Sequence, residues 1–452
     1  MSNPGDADAT PIRSVRQLAE HIAEGCKPAS EWRIGTEHEK FGFRVDDRLP
    51  PPYQPGGIRA VLEGMANADW TPITDRGQPI GLKGPGGASV ALEPAGQLEL
   101  SGGTLETLHQ TRDELAAHAA AVRAVAGPLG LGFAPLGFQP TQTRAAMPWM
   151  PKSRYAIMRD YMPRVGTLGL DMMTRTCTVQ VNLDYESEAD MARKLRVSLA
   201  LQPLATALFA NSPFTEGRPN GYQSYRAHIW TDTDNQRSGA PSLFAEEGFG
   251  FERYVEWLMD VPMYFVTRDG EPRDMAGRSF RAFVAGRYDD AGPATVGDFA
   301  DHMTTAFTDV RVKRFLEMRG ADAGRADMML AQSALWVGLL YDPAALAAAD
   351  ALVRRVPWPD YAALRARVPR EGIATAWGRG TLRDLAREVV DIAVGGLRSR
   401  GRVDGAGNDE SGYLDPLRAI AQGGPTQADH WLDRCDHVWN GDVSNIFMEA
   451  TL

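Results

Sequence analysis

Glu37 and Glu39 lie two residues apart in WRIGTEHEKFGFRV (32–45), a stretch that alternates with period two. On a strand, residues i and i+2 leave the same face, so both carboxylates point one way and His38 the other. VALEPAGQLELSG carries Glu93 and Glu99 an even number of positions apart, on one face of a straight strand, with a bulge expected at Pro94 and Gly96. RFLEMRGAD places Glu317 and Arg319 in front of Leu316 and Met318. In TRTCTVQVNLDY (174–185), Thr176, Thr178, Gln180, Asn182 and Asp184 share one face, and Cys177, Val179, Val181, Leu183 and Tyr185 share the other. If these segments pair into one sheet, their carboxylates converge, and like charges at that density need cations between them. Hard divalent ions with oxygen ligands suit such a set, and Mg²⁺ commonly bridges carboxylates to nucleotide phosphates. The plain alternative is solvated Glu on half-exposed strands. It holds for any one of them and weakens for the set, because strands are depleted in Glu.

Other motifs are weaker. GLKGPGGAS (81–89) lacks a Walker A ending and reads first as a tight hairpin connection, with Lys83 a weak nucleotide contact. His38-Glu39 is not a zincin motif, since position 42 is Gly, and there is no G-x-S-x-G elbow. His430 and His437 read as surface, and Cys177 as packing. Two cationic, aromatic-flanked segments remain: MPKSRYAIMRDYMP with Arg154, Tyr155 and Arg159, and NGYQSYRAHIWTDTD with Arg226, His228 and Trp230. Arginine suits a two-point grip on a carboxylate.

These strands need a scaffold. Helical patterns cover about 14–25, 58–67, 104–126 and 187–210, the last opened by Ser187 with Asp190 three residues on. The C-terminal third reads as helical at 334–341, 343–355, 383–398 and 427–439. Residues 1–13 read as a flexible tail and 14–452 as one catalytic domain with a helical C-terminal part; loops 401–412 and 235–247 are mobile enough to cover a site. The 452 residues are 43% hydrophobic and 23% charged, which excludes disordered and fibrous classes. A net charge of −10 argues against nucleic acid or an anionic membrane as partner. Three scattered cysteines (Cys26, Cys177, Cys435) exclude a disulfide framework and a zinc ribbon. With neither a signal-peptide pattern nor an apolar stretch of spanning length, the expected location is cytoplasmic.

The blocks IGTEHEKFGF, LEPAGQLELSG, RTCTVQVNLDYESEADM, ALFANSPFTEGRPNGY, HIWTDTD, FGFERYV, DVPMYF, KRFLEMRGAD and LWVGLLYD, in that order, resemble the plant-type glutamate–cysteine ligases shared with many bacteria. The resemblance implies an α+β fold similar to glutamine synthetase: a curved, mainly antiparallel six-stranded sheet forming a funnel, flanked by helices. It implies that ATP phosphorylates the γ-carboxylate of L-glutamate and that the amine of L-cysteine attacks the γ-glutamyl phosphate, the first step of glutathione synthesis; a γ-glutamyl ligase for another amine is the alternative. It implies Mg²⁺ held by Glu37, Glu39, Glu93, Glu99 and Glu317 with Gln180 assisting, and a catalytic set of Arg319, Glu39 and Glu317. It further implies substrate contacts at Arg154, Arg226 and Tyr264, with Thr178 and Val181 nearby, in a monomer or homodimer. Where plant members carry regulatory cysteines, this chain has Arg112 and Met275, so their thiol switch is not expected.

Overall fold

A computed structural model describes residues 8–452; part of the expected tail, 1–7, lies outside the described residues. Asp8–Ile12 is not loose: Ile12 N–H donates to the Ala294 carbonyl, and the Thr10 carbonyl accepts from Val296. Helix α1 (Val15–Ala23) follows its Ser14 cap, and α2 spans Ile58–Met65. Helix α3 (Leu108–Ala126) starts later than the pattern suggested. Leu105 is bonded in extended form to Ile34, and a Thr107–Gln110 capping box sets the first turn. Helix α4 spans Arg154–Tyr161, α5 Gly169–Arg175 and α6 Glu188–Leu208. Ser187 caps α6, but the Asp190 carboxylate reaches back to the Glu186 N–H.

Among the described residues the central sheet has nine strands, where six were expected. They include β1 (Ile34–Arg44), β2 (Thr71–Asp75), β3 (Gln78–Lys83), β4 (Ser89–Leu92), β5 (Leu98–Ser101), β6 (Leu131–Ala134) and β7 (Thr178–Leu183). The order runs Val310–Val312, Leu316–Asp322, β7, β1, β5, β4, β3, β2, with β6 also on β1, and every pairing is antiparallel. The segment read as one bulged strand is a hairpin: β4 and β5 pair across a turn at Pro94–Gln97, where Gly96 takes φ +85.

The apolar back of β7 (Val179, Val181, Leu183) packs into the main core with α6 and helix Ala326–Leu340. That helix is apolar on every side because it is enclosed on every side. Helices Pro343–Val353, Leu382–Arg400 and Gln427–His437 complete the C-terminal part. Among the described residues no single helix is long and apolar enough to cross a membrane. The Gly- and Asp-rich loop 401–412 is anchored: Asp404 accepts from Ala406 and Asn408, and buried Glu410 accepts from Leu108 N–H.

Candidate active site

Register brings the carboxylates together. Glu39 of β1 lies opposite Glu99 of β5, Glu37 opposite Gln180 of β7, and Glu317 opposite Asn182. The polar faces form one wall of a cavity of about 570 Å³ lined by Glu37, Glu39, Glu93, Thr178, Gln180 and Arg319 among others. Glu93 reaches it from the β4–β5 turn rather than from a strand face. Gln97 holds that turn, accepting from Ala95 N–H and donating to the carbonyls of Met173 and Thr176. The Gly-rich segment both joins β3 to β4 and contributes Lys83, Gly87, Ala88 and Ser89 to the rim. Arg319, on the face that parity assigns it with Glu317, lies on the cavity wall, and the strand register shifts between Met318 and Ala321 beside it. Trp230, Phe307, Met172 and Met173 supply the apolar part of the lining.

The charges inside are unevenly answered. Burial pushes the Glu39 carboxyl up to about 8, and Glu99 and Glu93 push the same way. One Glu39 oxygen accepts from the Thr178 N–H at 2.9 Å. The Glu37 carboxyl is raised by burial and then by Glu317 and Glu99; Lys313 and a 2.8 Å bond from Asn182 pull it back. Glu317 is different. Burial opposes its charge, but Arg311, Lys313 and Arg319 hold it well below the usual carboxylate range. Arg311 donates to both oxygens at 2.6 and 3.0 Å, Lys313 at 3.2 Å, and Arg319 bridges Glu317 to Gln180. Arg226 is buried in the wall, donates to the Arg319 carbonyl at 2.9 Å and faces Asp322 at 3.9 Å.

Several expected contacts lie elsewhere. The Val181 side chain is on the far face, wholly inside the main core. Tyr264 is buried beneath the wall, its hydroxyl 3.2 Å from Asp234 and its ring 3.7 Å from the Arg237 guanidinium. It lies behind Phe307 of the lining, at 6.2 Å between ring centroids. Arg154 opens α4 beside the Tyr155 ring and is not part of the wall. Glu99 and Glu317 stand just behind the lining residues. Arg311, Lys313 and Asp322 were not anticipated, although Arg311 and Lys313 alternate with Val310 and Val312 in the sequence. Lys152, also unforeseen as a site residue, is buried with its pKa drawn down to about 7 by burial and by Arg154, against Glu93, Glu99 and Asp75.

The oxygen donors suit a hard divalent ion in kind: Glu37, Glu39, Glu93 and Gln180 face one space. Among the described residues no three such groups stand close enough to enclose an ion as they lie.

An antiparallel sheet walling an acidic cavity, with guanidinium groups set into the same wall, defines the class: an α+β protein with its candidate site on one sheet face. A family model described as glutamate–cysteine ligase family 2 matches residues 33–449, and the chain belongs to that family. It is 49% identical over 435 residues to a chloroplastic glutamate–cysteine ligase B of Oryza sativa subsp. japonica, covering 96% of this chain and 86% of the relative. It is 47% identical over 448 residues to the chloroplastic glutamate–cysteine ligase of Arabidopsis thaliana, covering 98% and 83%. A glutamate–cysteine ligase of Francisella tularensis, solved in complex with AMP, shares the fold with a TM-score of 0.54 at 12% identity, over 93% of this chain and 88% of that one.

The expected cytoplasmic location does not stand, since these relatives are named chloroplastic.

Proposed function

We infer that the protein ligates L-glutamate to L-cysteine at the expense of ATP, forming γ-glutamylcysteine. A γ-carboxylate oxygen of glutamate attacks the terminal phosphorus of ATP and ADP leaves. The cysteine amine then attacks the acyl carbon, phosphate leaves, and the amine gives up a proton. The observation that carries this reading is the acidic cavity, with Arg226 and Arg319 in its wall, in a chain of this family.

Mg²⁺, when bound, neutralises the ATP phosphates and aligns the phosphoryl group with its acceptor. Glu37, Glu39, Glu93 and Gln180 would hold it, with Glu99 behind them. The Thr178 N–H orients Glu39, and Asn182 orients Glu37. Arg319 is the residue we assign to the charge on the transferring phosphoryl group, because Glu317 and Gln180 fix its guanidinium at the wall. Glu317 serves as the anchor of Arg319 and Arg311, which occupy the oxygens that it would otherwise offer to a metal. Arg226, buried and set in the wall, is assigned to a substrate carboxylate. Trp230, Phe307, Met172 and Met173 exclude water from the acyl phosphate, which water would otherwise hydrolyse. On this reading residues 14–452 act as one catalytic unit, with the polar sheet face as the inner wall of a funnel.

The test is phosphate release with ATP, Mg²⁺ and glutamate against a panel of amines, with the product identified by mass. The expected outcome is γ-glutamylcysteine, with L-cysteine preferred over 2-aminobutyrate and alanine. Phosphate release that does not depend on glutamate sinks the ligase reading; cysteine no better than alanine sinks the acceptor assignment.

A further inference from the structure

Arg319 leaves its strand where pairing with β7 slips. Met318 stands opposite Val181 and Ala321 opposite Val179, so Arg319 and Gly320 together face Gln180 alone. An irregular pair of this kind needs partners beyond the regular ladder for its backbone. All four of its polar groups have one outside β7. The Arg319 N–H donates to the Asp309 carbonyl at 3.1 Å, and the Arg319 carbonyl accepts from Arg226 at 2.9 Å. The Gly320 N–H donates to Gln202 Oε1 at 2.9 Å, and the Gly320 carbonyl accepts from the Thr206 hydroxyl at 3.0 Å. Gln202 and Thr206 are one turn apart on α6, so one face of that helix grips Gly320 at both its N–H and its carbonyl. Leu199, Leu201, Leu204 and Ala205 of the same helix belong to the main core. Gln202 is 1% exposed there, where a methionine of similar length would pack without desolvating an amide. Its Nε2 has no hydrogen-bond partner among the described residues, so the amide is retained for its oxygen. A Cβ at Gly320 would collide with that oxygen, and the close approach therefore requires glycine.

We propose that Gln202 is a positioning residue of this site, with Thr206 its partner: together they fix the irregular Arg319–Gly320 backbone, and through it the place at which the Arg319 guanidinium meets the transferring phosphoryl group. The inference rests on the ligase reading, which gives Arg319 that task. Glu317 and Gln180 hold the guanidinium, and α6 holds the backbone behind it. A side chain anchored at both ends has little freedom to reorient, and charge stabilisation in phosphoryl transfer depends on groups already in place. Gln202 is not part of the lining of the acidic cavity and touches no reacting atom; it acts through Arg319.

The test is steady-state turnover of the full chain with ATP, Mg²⁺, glutamate and cysteine, the product counted by mass. The variants are Gln202→Met, Thr206→Val, Thr206→Ser and Arg319→Met, with Gln202→Met and Thr206→Val each also combined with Arg319→Met. Gln202→Met should lower kcat about tenfold and Thr206→Val about fivefold, with the KM values for ATP and glutamate within about twofold of wild type. Thr206→Ser, which keeps the hydroxyl, should stay near wild type. In the Arg319→Met background the same two changes should lower the residual kcat by less than about twofold, because the group they position is gone. A merely structural role would instead lower turnover alike in both backgrounds, and that result overturns the proposal. So does a kcat within about twofold of wild type in Gln202→Met and Thr206→Val, a change confined to KM, or wild-type kcat in Arg319→Met. Should Gln202→Met not fold, Thr206→Val against Thr206→Ser carries the comparison. Absence of wild-type turnover sinks the ligase reading and this role with it, whereas normal wild-type turnover with unchanged variants sinks only the role of Gln202 and Thr206.

Discussion

Glu39 and Glu317 are both enclosed carboxylates on one sheet, separated only by β7, yet their surroundings treat charge in opposite ways. Around Glu317 the chain supplies its own cations: Arg311, Lys313 and Arg319 take up both oxygens. Around Glu39 it supplies more acid, and the carboxyl is pushed up to about 8 by burial and by Glu99 and Glu93. The first end is complete as it stands. The second is a carboxyl that burial and its acid neighbours hold largely in the neutral form, with Arg226 among the groups pulling the other way. A fold tolerates such an arrangement where function needs it, and an external cation is the natural remedy. Buried carboxylates in one cavity can therefore play unlike parts, one anchoring guanidinium groups and the other receiving metal.

The same substitution at the two ends should have opposite consequences for stability. Glu317→Gln leaves Arg311, Lys313 and Arg319 crowded together without their counter-ion, and should cost about 3–5 kcal/mol of folding stability, read by urea unfolding. Loss of activity should accompany it. Glu39→Gln removes a repulsion instead: metal-free Tm should hold or rise, while kcat with saturating Mg²⁺ falls by about 10²–10³-fold. If both variants lose stability alike, the two ends are not different in kind.

Strand parity made this site legible. Glu37, Glu39, Thr178, Gln180 and Arg319 reach the cavity because period-two burial fixes which face a residue takes. At Val181, parity and family resemblance disagreed: the alternation assigns it to the apolar back and the resemblance to the substrate. The structure sides with parity, since Val181 is sealed in the core. Glu93 shows the limit of the same reasoning. Counting along a supposed straight strand does not apply across Pro94–Gln97, where the chain reverses, and Glu93 reaches the cavity as a turn residue. Arg311 and Lys313 were missed because pairing with Glu317 is a tertiary matter: a strand pattern shows which residues face forward, not which charges meet. Lys152 was missed for a similar reason, as its burial comes from the β4–β5 hairpin beside it, where the Met150 N–H donates to the Pro94 carbonyl.

Behind the sheet lies a useful control, a buried cation far from the acidic wall. Lys194 on α6 is fully enclosed, with Nζ 3.5 Å above the Trp32 ring and 2.9 Å from Asp190. Burial lowers its pKa from 10.5 to about 8, although Asp190 pulls upward. Below pH 8 both folded and unfolded chains hold the proton, and the folded state bears the full penalty of the buried charge. Between about pH 8 and 10.5 the unfolded chain keeps the proton that the folded chain has released, so stability rises with pH in that window. Relative to Lys194→Met, wild type should gain about 2 kcal/mol between pH 7 and pH 10, measured by urea unfolding at each pH. A flat difference would show that Asp190 and the Trp32 ring compensate the charge fully, as the cations around Glu317 do.

Arg226 stands between the two extremes. Its guanidinium is buried, held by the Arg319 carbonyl and by an Asp322 carboxylate that is near but not in hydrogen-bond contact at 3.9 Å. Asp322 is committed elsewhere, accepting from Ser212 and Ser224 hydroxyls at 2.6 and 2.8 Å and from the Asn211 N–H at 2.8 Å. The Ser212 hydroxyl in turn accepts from the Arg226 N–H at 3.1 Å. Asp322 thus places Arg226 without consuming its charge, leaving the guanidinium able to meet a substrate carboxylate. Asp322→Asn keeps the shape but sets an amide donor against donors, loosening that frame. One amino-acid KM should rise about tenfold, equivalent to about 1.4 kcal/mol, with kcat changed by less than about threefold. The KM that moves, glutamate or cysteine, identifies the carboxylate that Arg226 grips. A fall in kcat with both KM values unchanged would place Arg226 in the chemical step instead, and group it with Arg319.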